Sequence, residues 1–126
     1  MNAEEVEAWA DAYIRAQLDP ELFGVEHPLW WAVEKAIYAT GNTSGDELFE
    51  FILAVLEKDP PDTVIAVLAA GPLEELISCS GRDYIDRIEL EAARNPKFRH
   101  LLGGVWKAST VDSVWNRIEA VRDSRW

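Results

Sequence analysis

The chain has little of what many function classes require. It holds one cysteine, Cys79, in 126 residues, so no internal disulfide framework exists. Its two histidines, His27 and His100, lie far apart and outside any His-x-x-x-His spacing. With no second cysteine near Cys79, no metal-ligand set is in view and no metal is expected. Basic residues are scarce: 12 Lys+Arg face 23 Asp+Glu, a formal net charge of −11. Phosphate contacts need a basic footprint, so a nucleic-acid partner is not expected. An acidic membrane surface would repel the chain. No stretch reads as the roughly 18 consecutive apolar residues of a membrane span. The opening Asn2-Ala3-Glu4-Glu5 carries the wrong sign for a signal peptide. The expectation is a soluble, cytoplasmic protein. Gly-x-Ser-x-Gly and phosphate-cradling glycine loops are absent, so neither a catalytic residue nor a cofactor is expected.

What is present is apolar and helical. Hydrophobic residues make up 48% of the chain, enough for a core in a single domain over residues 1–126. Val6, Trp9, Ala10, Tyr13, Ile14 and Leu18 recur at steps of three and four, which predicts a helix from Ala3 to Leu18 capped by Asn2. Pro28 suits the first position of a second helix, Leu29 to about Thr40, with Trp30, Val33 and Ile37 as its stripe and Gly41-Asn42 as its stop. Ser44-Gly45-Asp46-Glu47 is a capping box for a third helix, Gly45 to Lys58. Asp59-Pro60-Pro61-Asp62 breaks the chain, and Thr63–Ala70 is apolar nearly all round, as the centre of a core would be. Gly71-Pro72 reads as a further stop and start, with Gly71 as a left-handed cap. Ser80 should cap a helix to Arg94, and Asn95-Pro96 should restart the chain into Lys97–Leu102, ended by Gly103-Gly104. Ser109 or Thr110 should cap the last helix, striped by Val111, Val114, Trp115, Ile118 and Val121.

The expected fold is therefore all-α, a compact irregular bundle of about seven to eight short helices. The tract Ser44–Arg94 reads as helix–turn–helix twice, which suggests HEAT-like helical-hairpin stacking. Asp83, Arg87 and Glu91 stand four apart and predict a surface ion-pair ladder. Cys79, beside Leu76 and Ile77, reads as a buried inert thiol, and His27 as an exposed residue ahead of its helix. Of the six tryptophans, Trp9, Trp30, Trp106 and Trp115 are expected in the core.

The segments Ala69-Ala70-Gly71-Pro72-Leu73-Glu74-Glu75-Leu76-Ile77, Tyr84-Ile85-Asp86-Arg87-Ile88-Glu89, Asn95-Pro96-Lys97-Phe98-Arg99 and Leu101-Leu102-Gly103-Gly104-Val105-Trp106, with Val114-Trp115, carry a resemblance. Over about residues 44–126 the chain resembles a bacterial family of small, acidic, helical proteins catalogued as a domain of unknown function. The resemblance implies a compact helical domain and no activity.

Charge asymmetry points to a function. Residues 1–63 hold 14 carboxylates and three basic residues, while the second half is balanced. Such a field steers cationic partners. The expectation is a non-enzymatic, acidic protein-binding module with a basic protein as partner, for example an immunity- or antitoxin-like inhibitor. The expected binding face is Glu26, Trp31, Glu34, Asp46, Glu47 and Glu50, an aromatic anchor among carboxylates. The alternatives are a helical scaffold that grasps a peptide or partner helix in a groove, and an enzyme of unrecognised type.

Overall fold

The first helix, α1 (Ala3–Leu18), begins where the Asn2 side chain accepts the Glu5 N–H at 2.8 Å. The computed structural model describes residues 2–21, 26–37 and 44–126. Five further helices follow among them: α2 (Trp30–Ile37), α3 (Gly45–Glu57), α4 (Asp62–Arg94), α5 (Pro96–Leu102) and α6 (Asp112–Val121). No strand is present among the described residues. The expected ends of the second helix, at Thr40 and Gly41-Asn42, lie outside them.

Local chemistry explains most boundaries. The Ser44 hydroxyl accepts the Glu47 N–H at 3.1 Å, as its capping box predicts. Asn95 accepts from Lys97 and Phe98, and Pro96 fills the first position of α5. Two boundaries differ from expectation. α2 starts at Trp30, after a turn closed by the Trp30 N–H on the His27 carbonyl at 3.0 Å. α6 has Val111 at its cap with no side-chain bond. Thr110 is buried instead, with its hydroxyl 3.5 Å from that of Ser78.

The main departure is α4. Its three segments, Asp62–Leu68, a π-helical turn Ala69–Leu73 and Glu74–Arg94, run on without a stop. Pro72 has no N–H, and its ring crowds the carbonyl four residues back. The chain accommodates it by widening one turn, so that the Glu74 N–H reaches Ala69 O. Gly71 is not in a left-handed conformation. At Ser80, the expected cap, the dihedrals leave the helical range (φ −136, ψ 21), and two helical stretches meet there across a kink. Hence six helices stand among the described residues, against about seven to eight expected of the chain, and the tract Ser44–Arg94 holds α3 and one long bent helix. That helix contains an 18-residue window of mean hydropathy 1.4, long and apolar enough to cross a membrane by length and composition, though 44% of it is buried in the protein. Its apolar residues are interrupted rather than consecutive, so no such segment stands out in the sequence.

α1 packs against both α2 and α3, and Trp9 is the joint. Its indole N–H donates to Ala32 O at 2.9 Å, and its ring stacks on Phe51 with centroids 3.9 Å apart. Phe51, Ile52, Val64, Leu68, Leu73, Leu76, Phe98 and Ile118 continue one core through α3 to α6. Thr63–Ala70 is not enclosed all round: Val64, Leu68 and Ala69 are buried, whereas Val67 is 41% exposed. Trp106, expected inside, is 62% exposed. It sits in the turn after α5, where Arg125 covers its ring at 4.7 Å.

The expected ladder on α4 does not form, because Arg87 and Glu91 find other partners. Arg87 pairs with Asp46 of α3, and Glu91, buried, binds Arg94 and Asn95. Arg117 of α6 holds Asp86 at 2.6 Å and pairs with Glu89. Gly81 lets α6 approach, since a Cβ there would lie 3.0 Å from Val114 Cγ1.

Candidate functional site

The widened turn at Pro72 lines an apolar concavity. A groove of about 420 Å³ runs along the outer side of α4. Tyr13 and Gln17 of α1 and Val33, Ala36 and Ile37 of α2 form one wall. Val67, Ala70, Gly71 and Pro72 form the floor, and Ala108 and Ser109 close the far side. The floor residues are small, and a Cβ on Gly71 would meet nothing within 4 Å. Ile37 and Val67 are exposed apolar side chains at its edge.

Among the described residues, the charged ones lining this groove are Glu74 and Glu75, with no Lys, Arg or His. Glu74 is positioned by the Trp106 N–H, which donates to its carboxylate at 2.8 Å. The Cys79 thiol lies 3.6 Å from the Glu75 carboxylate. Cys79 is exposed and lines the groove, contrary to the expectation of a buried thiol. Leu76, Ile77 and Gly81 mark the buried face of this helix, and Cys79, two residues from Ile77, falls on the other side. Burial pushes the Tyr13 phenol well above its ordinary value, keeping it neutral, and Gln17 is its side-chain partner.

The six residues expected to bind fall into two patches. Trp31 is 48% exposed, three residues from Glu34 on the outer side of α2, and Glu34 accepts the Trp30 indole N–H at 2.8 Å. Glu26 is exposed just ahead of α2. Asp46, Glu47 and Glu50 lie in the first half of α3, and α2 and α3 each pack on α1 rather than on one another. Asp46 is already engaged: it accepts from the Tyr84 hydroxyl and from Arg87, both at 2.9 Å.

Beside Glu26, His27 is not the exposed residue expected. Its Nδ1 accepts the Leu29 N–H at 3.1 Å, so Nε2 carries the proton and donates to Asp19 at 2.7 Å. This bond holds the Asp19 carboxyl below its ordinary value. The recess around the pair is also lined by Arg15, Glu21, Glu26, Pro28 and Leu29. Through the Leu29 N–H, the pair orients the chain entering α2. No group of three or more His, Cys, Asp and Glu converges among the described residues.

Sequence reading missed the groove. Its one signal is the Gly-Pro inside a run whose apolar spacing of three and four continues on both sides, from Val64 and Leu68 to Leu73, Leu76 and Ile77.

Fold and site together define a small all-helical protein with an open apolar groove edged by carboxylates. A profile of a family of unknown function (DUF6869) matches residues 20–126, and the chain belongs to that family. The match takes in α2 as well as the region after residue 44. No curated protein and no solved structure matches the chain.

Proposed function

We propose that this protein is a non-enzymatic binding module that holds an apolar segment, flanked by Lys or Arg, of a partner protein. The observation that carries the reading is the groove: apolar along its floor, edged by Glu74 and Glu75, and without a cation among the described residues that line it. An apolar strip suits the buried face of a bound helix, and carboxylates at its edge favour basic flanks. The wider charge of −11 would speed the encounter. Trp31 and Glu34, on the same helix as Val33 and Ile37, extend this surface as the outer acidic patch. An immunity- or antitoxin-like inhibitor of a basic bacterial protein is one concrete form. The proposal includes a HEAT-like relation between α3 and α4, since stacking of that kind leaves concave faces for partners.

The test uses Cys79 as a reporter on the groove wall. Peptides of roughly 12–15 residues, long enough to hold a helix, present Leu on one face and Lys, Glu or Gln on the other. The Leu/Lys peptide should slow alkylation of Cys79 most, less so as salt rises. Glu74→Gln and Glu75→Gln keep the hydrogen-bond acceptors but remove the charges, and together should weaken that peptide about tenfold. Val67→Asp should abolish protection. Equal protection by the Leu/Glu peptide, or none by any peptide, overturns the reading.

A further inference from the structure

We infer that a second recess, sharing no residue with the groove, binds a small planar ring that carries an oxyanion. It lies between the turn after α5 and the end of α6 and measures about 320 Å³. Its lining includes Trp106, Lys107, Trp115, Glu119, Arg122 and Arg125. In a chain so rich in carboxylates, cations here outnumber them three to one.

Two indoles and two guanidinium groups alternate. Arg125 covers Trp106 at 4.7 Å and Arg122 covers Trp115 at 5.1 Å. Lys107 is already paired with Asp112, so the charged donors left for a ligand are the two arginines. Arg122 is short of acceptors: its Nη2 reaches Glu119 at a long 3.5 Å, and its buried Nη1 has no hydrogen-bond partner among the described residues. A guanidinium so weakly compensated favours an anion against the edge it presents to the recess. Trp106 is 62% exposed despite its size, which leaves ring surface for stacking. A planar ring provides the stacking partner, and a carboxylate or phosphate on it provides the acceptor. A recess of this size lies at the lower end of small-ligand sites.

The experiment follows the indole N–H resonances of Trp106 and Trp115 by NMR while the intact protein is titrated with 2-naphthoate or adenosine 5′-monophosphate. Inorganic phosphate and adenosine serve as the anion without a ring and the ring without an anion. At least one ring-bearing anion should shift both resonances and leave that of buried Trp9 in place. A response to naphthoate identifies a carboxylate as the source of charge, and a response to the nucleotide identifies a phosphate. Phosphate and adenosine should each bind at least about tenfold more weakly. Arg122→Gln and Arg125→Gln should each cost about tenfold in affinity. Trp106→Ala, a change at an exposed position, should cost as much without altering the helical circular dichroism. The inference is overturned if neither ring-bearing anion shifts the two resonances, if phosphate alone binds as well as the nucleotide, or if the exposed-site variants Arg125→Gln and Trp106→Ala bind unchanged.

Discussion

Gly104 lies against the indole of Trp126 so closely that a Cβ there would stand 2.6 Å from Cζ2 and Cη2. Gly103 is as confined, since its Cβ would stand 2.4 Å from Ser124 O. Trp126 in turn donates its backbone N–H to Gly103 O at 3.1 Å and its indole N–H to His100 O at 2.6 Å, and it stacks on the His100 ring. The two glycines therefore form the seat of the tail from Asp123 to Trp126, beyond their role as a turn. Gly103→Ala and Gly104→Ala should each destabilise the protein by about 1–3 kcal/mol. Both should speed tryptic cleavage after Arg122 and Arg125. Unchanged cleavage would show that another contact holds the tail.

Adjacent residues of α4 should respond very differently to truncation. Leu68 is fully buried, whereas Val67 faces the groove. Leu68→Ala should cost about 2–5 kcal/mol. Val67→Ala should cost below about 1 kcal/mol, and Asp83→Ala, at an exposed position, about 0.5 kcal/mol or less. Urea denaturation midpoints check the order, and equal losses would misplace the core.

Acid should loosen α6 from α4. Hydrogen bonding to Arg117 holds the Glu89 carboxyl below its ordinary 4.5. The unfolded chain therefore takes up this proton first as pH falls. The stability the pair contributes is full above about pH 4.5 and is lost as pH drops through the lower folded value. Both partners are partly exposed, so salt should shrink the effect. Arg117→Gln should flatten the acid limb of a plot of unfolding midpoint against pH. An acid limb identical to that of the parent would remove Glu89 from the account.

Ala108, between the groove and the ring-binding recess, has φ 46. This left-handed conformation costs an alanine about 1–2 kcal/mol. Ala108→Gly relieves it but adds freedom to the unfolded chain, worth about 0.5–1 kcal/mol in the other direction. The net expectation is a gain of up to about 1 kcal/mol, read from the thermal midpoint. A loss would mean that the methyl group packs more than it strains.

The helices were legible where the signal is local. Asn2, Ser44 and Asn95 cap because a short side-chain oxygen meets an unsatisfied N–H two or three residues ahead. The stripes Val6–Trp9–Tyr13 and Leu48–Ile52–Val55 go inward because their spacing places each set on one face. Of the expected binding residues, Trp31 adjoins Trp30 and cannot share its face, so one of the two could be read as partly exposed, and the structure shows Trp31 to be the exposed one. The engagement of Asp46 could not be read, because its partners Tyr84 and Arg87 lie some forty positions away.

The sequence by itself determined an all-helical chain, its strong caps, most of its buried stripe and a one-sided acidic charge, since each depends on residues within a turn or two or on composition. Only the tertiary structure decided the rest. Whether Gly71-Pro72 ends a helix depends on whether the flanking segments gain more by packing as one rod than a lost hydrogen bond and a widened turn cost. Here Leu68, Ala69, Leu73 and Leu76 are all buried in the shared core, and the rod continues. That choice leaves the small residues Ala70 and Gly71 facing outward beside α2, and so makes the groove. The same logic sets Trp106 outside and Trp9 inside: both are large and apolar, but only Trp9 lies where two helices cover it and a carbonyl awaits its N–H.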